Sequence, residues 1–198
     1  MASKNLDTIL LMGRPGAGKS LQGLRLCERE NIAHIHAYTG LLQDVTRDPK
    51  SSDEATIARV LQEIRRRELK PGTDLVVLEG IPKNERQAAL LDDTLRVHHA
   101  FHLAVPEDIA RTRAYDNQQR YARQREDYQD TLWALHRYEK TARATSIDAT
   151  LPVEAIYAQI LDRMYHHIDL VAWARQGPAV TYTQPSRSKD LLRCLRAA

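Results

Sequence analysis

Gly13-Arg14-Pro15-Gly16-Ala17-Gly18-Lys19-Ser20 is the stretch on which the fold turns. It meets every fixed position of G-x-x-x-x-G-K-[ST]. Its flanks supply the context that pattern needs, a short apolar run at residues 8–12 (TILLM) and a helical pattern at 20–29. The residue types follow from the chemistry of a polyphosphate. Glycines let the backbone fold into a nest whose N–H groups face phosphate oxygens. The helix amino terminus behind it adds partial positive charge. Lys19 supplies a full charge to the β and γ phosphates, and the Ser20 hydroxyl is a ligand for Mg²⁺. Gly13, Pro15, Gly16, Ala17, Gly18, Lys19, Ser20 and Leu21 are therefore the candidate nucleotide-binding residues.

Outward from the loop, strands alternate with helices. The helix at 20–29 places Leu21, Leu24 and Cys27 on one face. Residues 32–37 predict a second strand. Ser51-Ser52-Asp53-Glu54 reads as a capping box with Ser51 as cap. The helix behind it carries Ile57, Val60, Leu61 and Ile64 at helical spacing and stops at Pro71-Gly72. Residues 75–78 (LVVL) are apolar on both faces, as a covered parallel strand requires, and end at Glu79-Gly80. A helix at 85–94, a strand at 99–105, a helix at 107–114, a long helix at 127–144, a short strand at 146–149 and a helix at 153–175 follow. Residues 115–125 are polar and ambiguous. The last twenty residues read as an extended arm with a short final helix. This alternation implies an α/β fold, a parallel sheet with helices on both faces. The turns after Met12, Leu78 and Val105 then line one crevice at the carboxyl ends of the strands.

Composition narrows the class. The chain has 198 residues, 42% hydrophobic and 28% charged. That suits one domain, or one domain with an appendage, burying about 70% of its unfolded surface. Apolar runs near five residues are far short of the ~20 that span a bilayer, and no secretory signal is present. Cys27 and Cys194 form no framework and read as free thiols of a reducing cytoplasm, Cys27 as buried and inert. The formal charge of +3 is too small to argue for a nucleic-acid partner. Residues 111–145 carry a net +3 and 173–198 a net +4, which reads either as a solvated helix face with a loose basic end or as an anion site in the centre. The tail's Arg187, Lys189, Arg193 and Arg196 are the sole hint of a polynucleotide. The pairs His34/His36, His98/His99 and His166/His167 lack a third ligand at useful spacing and read as surface or core. Trp133 and the tyrosines read as core.

The wording of the loop, followed by a strand ending in an acidic residue, resembles the adenylate kinase family of nucleoside monophosphate kinases. Further segments match in order. His34-Ile35-His36-Ala37-Tyr38-Thr39-Gly40 resembles the family's H-I-S-T-G. Glu79-Gly80-Ile81-Pro82-Lys83-Asn84-Glu85-Arg86-Gln87-Ala88 resembles D-G-F-P-R-T-x-x-Q-A. Val105-Pro106-Glu107 resembles V-P-x-E-x-x-x-x-R, Tyr138-Glu139-Lys140-Thr141 resembles Y-x-x-T, and Ile147-Asp148-Ala149 resembles I-D-G near the nucleotide base. The resemblance runs from about Thr8 to Met164. It implies a three-layer P-loop nucleotide kinase fold with a parallel five-stranded sheet, in a kinase-like domain at 1–175. That domain has an acceptor-binding insertion near 37–70 and a short lid near 114–125. A basic arm at 176–198 follows. A lid without cysteine excludes a zinc ribbon.

The resemblance also implies roles. Lys19 stabilises the transferring phosphoryl group. Ser20 and Glu79 serve Mg²⁺, Glu79 standing where the family has an aspartate. Thr39, Gly40, Gly80 and Gln87 bind the acceptor, and Lys83 replaces an arginine that clamps its phosphate. A second clamp position is Asp44, with Arg47 three residues on as a substitute. Arg113 neutralises donor and transferring phosphates. The second lid arginine, near Asn117, is absent, and Arg123 or Arg125 takes its place, with Arg120 beside them. A catalytic arginine before Tyr138 is replaced by Ala134, with His136 and Arg137 nearby. The expected activity is Mg²⁺-dependent transfer of the γ-phosphoryl group of ATP to a nucleoside monophosphate by a cytoplasmic monomer. A same-fold kinase of another small acceptor and a catalytically weak ATP-binding protein remain the alternatives.

Overall fold

Five parallel strands form one sheet in the order β2-β3-β1-β4-β5. They are β1 (Asp7–Met12), β2 (Ala33–His36), β3 (Leu75–Glu79), β4 (Arg96–Ala104) and β5 (Ala144–Asp148). The computed structural model describes residues 6–30, 32–36, 51–66, 75–113 and 118–167. Among them six helices connect the strands: α1 (Lys19–Glu30), α2 (Asp53–Arg66), α3 (Glu85–Thr94), α4 (Glu107–Arg113), α5 (Gln118–Lys140) and α6 (Val153–His167). This is the expected three-layer α/β architecture. The expectations at 37–50, 67–74, 114–117 and 168–198, the C-terminal arm included, lie outside the described residues.

The sheet separates two apolar clusters. Alternation along β1 sends Ile9 and Leu11 to one face and Leu10 and Met12 to the other. The first face packs against Leu26 of α1 and Ile156, Ile160 and Met164 of α6. The second packs against Ile57, Val60 and Ile64 of α2, Ala88 and Leu91 of α3, and Ala134, Leu135 and Tyr138 of α5. Both faces being covered explains why β1 and β3 read as unbroken apolar runs rather than alternating ones. Chain direction switches at β1. The path from β1 leads to β2 on one side, and the crossover from β3 through α3 returns to β4 on the other. The carboxyl end of β1 therefore opens a crevice.

Several local expectations need correction. The Leu21, Leu24 and Cys27 face of α1 is exposed, and the buried face is Gln22, Gly23 and Leu26. The cause is helical phase. Residues three, four and seven beyond Lys19 share its side of the helix, and Lys19 must face the crevice above the sheet. The α2 cap is Ser52 rather than Ser51, with the Ala55 N–H donating to Ser52 Oγ at 3.1 Å. Strand β4 starts at Arg96, because Leu95 alone separates it from α3. Helix α5 takes in residues 118–126 and ends at Lys140, where Ala142 turns the chain with a φ of 54°. Trp133 on that helix is 65% exposed, whereas Tyr121, Tyr128, Tyr138 and Tyr157 are buried. Among the described residues no helix is long and apolar enough to cross a membrane.

Candidate functional site

The loop between β1 and α1 wraps the floor of a cleft of about 610 Å³. It sits against α4: a Cβ on Gly16, whose φ is +81°, would lie 2.3 Å from the Ala110 carbonyl oxygen. The loop closes on itself through the Ala17 N–H to Arg14 O bond of 3.2 Å. Lys19 folds back over it, Nζ donating to Gly13 O at 2.8 Å and to Arg14 O at 2.9 Å. An ammonium held by two carbonyls at the mouth of a helix amino terminus is an anion-binding arrangement.

The end of β3 brings a carboxylate to the same place. Glu79 is buried, and the Ser20 hydroxyl donates to its Oε1 at 2.7 Å. His34 Nε2 lies 3.0 Å from Oε2 and His36 Nε2 3.3 Å from Oε1. Burial pushes the Glu79 pKa up, but the hydrogen bonds from His34 and His36 and the nearby Lys19 ammonium outweigh it. The carboxyl is held well below the usual range and is ionised at neutral pH. Glu79 and Ser20 thus set hard oxygen donors beside Lys19. That donor set fits Mg²⁺, which takes one or two protein oxygens and completes its shell with water and phosphate.

A second group of side chains gathers around Tyr128, which lines the cleft. Glu107 accepts from Arg125 Nη1 at 2.9 Å and Arg14 Nη1 at 3.5 Å, and the Arg14 guanidinium lies 5.0 Å from the Tyr128 ring centroid. The His102 ring nitrogens sit between Ser146 Oγ and Tyr128 OH, each at 2.9 Å. Burial first, and the charges of Arg14 and Lys19, lower the His102 pKa from its ordinary 6.5 against the pull of Glu139. The unfolded chain therefore binds this proton more tightly than the folded one. Stability from His102 is in place above about pH 6.5 and falls as pH drops below that value. The His102→Gln variant is expected to lose less stability than the parent between pH 7.5 and pH 5. Denaturant midpoints at the two pH values check this.

Of the residues singled out from sequence, Gly13, Pro15, Gly16, Ala17, Gly18, Lys19, Ser20, Leu21, Glu79, Gly80 and Arg113 line this cleft together. Arg113 Nη1 donates to Ala149 O at 2.7 Å, beside the turn after β5. Gln87 is engaged elsewhere. Its Oε1 accepts from the Lys83 N–H at 2.8 Å and its Nε2 donates to Asp53 Oδ1 at 2.8 Å, which ties α3 to α2. Neither Lys83 nor Gln87 is among the residues that line the cleft. Thr39, Gly40, Asp44 and Arg47 lie outside the described residues, as do the side chains of Arg120 and Arg123. Arg137 pairs with Asp92 at 3.1 Å, alongside Arg143, and Ala134 is fully buried. The position before Tyr138 thus presents no arginine to the cleft.

The two histidines on Glu79 are what sequence reasoning missed. Linear spacing offers no third partner. The signal lay across strands, in two residues of one parity at the carboxyl end of β2 beside the acidic end of β3.

No family model matches the chain. It is 26% identical over 174 residues to adenylate kinase 1 of Synechocystis sp., covering 75% of this chain and 91% of that protein. The adenylate kinase of Synechococcus sp. is 27% identical over 174 residues, 77% of this chain and 95% of the relative. UMP-CMP kinase 3 of Arabidopsis thaliana is 22% identical over 187 residues, 80% and 89% of the two chains.

Proposed function

We propose that this chain, a member of the adenylate kinase family, transfers the γ-phosphoryl group of ATP to a nucleoside monophosphate. The observation that carries this reading is the convergence of Lys19, Ser20 and Glu79 at the carboxyl ends of β1 and β3. Transfer through a loose transition state needs little covalent help and much positioning and charge stabilisation. Lys19 supplies positive charge where the transferring group gains negative charge. The loop N–H groups orient the donor phosphates. Arg113, near the β5 turn, binds the donor nucleotide, and Arg123 is proposed to add charge at the transfer point. Ser20 and Glu79 would hold Mg²⁺, which when bound neutralises and orients the β and γ phosphates. Gly80 and Lys83, with Thr39, Gly40 and Arg47, are proposed to take the acceptor.

One observation favours a second acceptor class. The Gln87 amide is bonded at both ends within the protein, to Lys83 N–H and Asp53, rather than aimed at a base. Together with Asp44 and Lys83 at the phosphate-clamp positions, this suits a small acceptor other than a nucleotide. Incubation with Mg-ATP and a panel of nucleoside monophosphates, products separated by ion exchange, decides between them. Diphosphate from one acceptor above a Lys19→Ala blank supports the first reading and names the substrate. ATP binding with no diphosphate from any of them overturns it and leaves the second.

A further inference from the structure

The Glu79 carboxylate is gripped from β2, and the room for that grip comes from α1. His34 and His36 stand two residues apart, so both imidazoles leave the same face of the sheet. Register sets His36 beside Glu79 and His34 beside Val77. His36 is therefore the lateral neighbour of the carboxylate and His34 the diagonal one. They divide its oxygens, His34 at Oε2 and His36 at Oε1, where the Ser20 hydroxyl also donates. The two rings stand edge to face at 6.4 Å and 88°.

Directly over His34 lies Gly23 of α1. A Cβ there would fall 2.4 Å from His34 Nε2 and 2.6 Å from Cδ2 and Cε1. No larger residue leaves the ring in place. Glycine inside a helix costs about 1 kcal/mol against alanine, and here it leaves space for the nitrogen that meets Oε2. A glutamate has one more torsion than the aspartate that the resemblance leads one to expect, and a fixed hydrogen bond at Oε2 removes that freedom.

We propose that His34, seated in the space left by Gly23, is a positioning residue that holds Glu79 Oε2 so that Oε1 faces Ser20 and a nucleotide-bound divalent cation. This rests on the Mg-nucleotide part of the reading above and not on the identity of the acceptor. The test is calorimetric titration of the full chain with β,γ-imido-ATP, in Mg²⁺ and in EDTA. His34→Ala and Gly23→Ala are each expected to weaken binding about tenfold in Mg²⁺ and less than about twofold in EDTA. Adding Gly23→Ala to His34→Ala is expected to change nothing more, because the ring it displaces is gone. His34→Gln, which retains an N–H donor, recovers part of the loss, and with Gly23→Ala it carries the test should His34→Ala fail to fold. Equal weakening with and without Mg²⁺, or additive effects of the two substitutions, overturns the proposal. A parent chain that phosphorylates no monophosphate yet shows the Mg²⁺-specific pattern overturns the monophosphate-acceptor reading alone.

Discussion

Lys19→Ala lowers phosphoryl transfer by at least about 10²- to 10³-fold, the loss typical of removing one preorganised charge-stabilising donor, while the chain keeps its fold. The two halves of this expectation come from different links. The fold half follows from the bonds Lys19 makes: Nζ reaches the Gly13 and Arg14 carbonyls on the cleft surface. Water can replace it there, and such a bond contributes only about 1 kcal/mol net. The activity half follows because Lys19 is bonded to the loop carbonyls where the phosphates would lie. Arg14 is turned toward Glu107 and Tyr128, and Arg113 toward Ala149. Melting by circular dichroism alongside the product assay separates the halves. A variant that melts like the parent and transfers at near-parental rate removes Lys19 from the mechanism.

Gly16→Ala is expected to fail in both stability and nucleotide binding. A φ of +81° costs an L-residue about 1–2 kcal/mol. The added methyl would also lie 2.3 Å from Ala110 O and 2.9 Å from its carbonyl carbon. Backbone cannot turn aside as a side chain can, so α4 must move, at roughly another 1–3 kcal/mol. For a chain of this size the sum corresponds to a melting temperature lower by about 5–15 °C. Gly18→Ala is the control. Its φ of +88° carries similar strain, but nothing lies within 4 Å of the new methyl. Its loss should be limited to the strain. Equal losses for the two variants would show that the contact with α4 is unimportant.

Legibility of this molecule in its sequence tracks how local each cause is. The phosphate loop and the strands on either side were readable because short-range chemistry sets them: glycines for the nest, unbroken apolar runs for covered strands. Asn84 capping α3 through the Gln87 N–H at 2.8 Å likewise marks a start that the sequence places at Glu85. Errors arose where a remote contact decides. The rotation of α1 is imposed by where Lys19 must point, so an apolar stripe of Leu21 and Leu24 faces outward. The polar stretch at 118–126 is helical without a strong amphipathic signal of its own. The histidines on Glu79 are separated from it by over 40 residues, and only the β2–β3 register brings them together. Gln87 shows the limit of resemblance: matching a motif position does not fix where an amide points once Asp53 is within reach.

The register of β1 also bears on how the molecule comes into being. Asp7 pairs with Leu75 on one side and with Arg96 on the other. The strand that carries the phosphate loop therefore has neither neighbour until more than sixty intervening residues exist, and its second arrives later still. Closing such long loops precedes any reward from pairing, which places this fold among the slowly assembling, non-local topologies. Until β3 and β4 dock, the apolar run Ile9-Leu10-Leu11-Met12 presents two open edges to other chains. The nucleotide loop is thus made before either neighbour of its strand and flanked by both only once β4 has docked. Association of those open edges with other chains is the process that competes with completion of the native sheet.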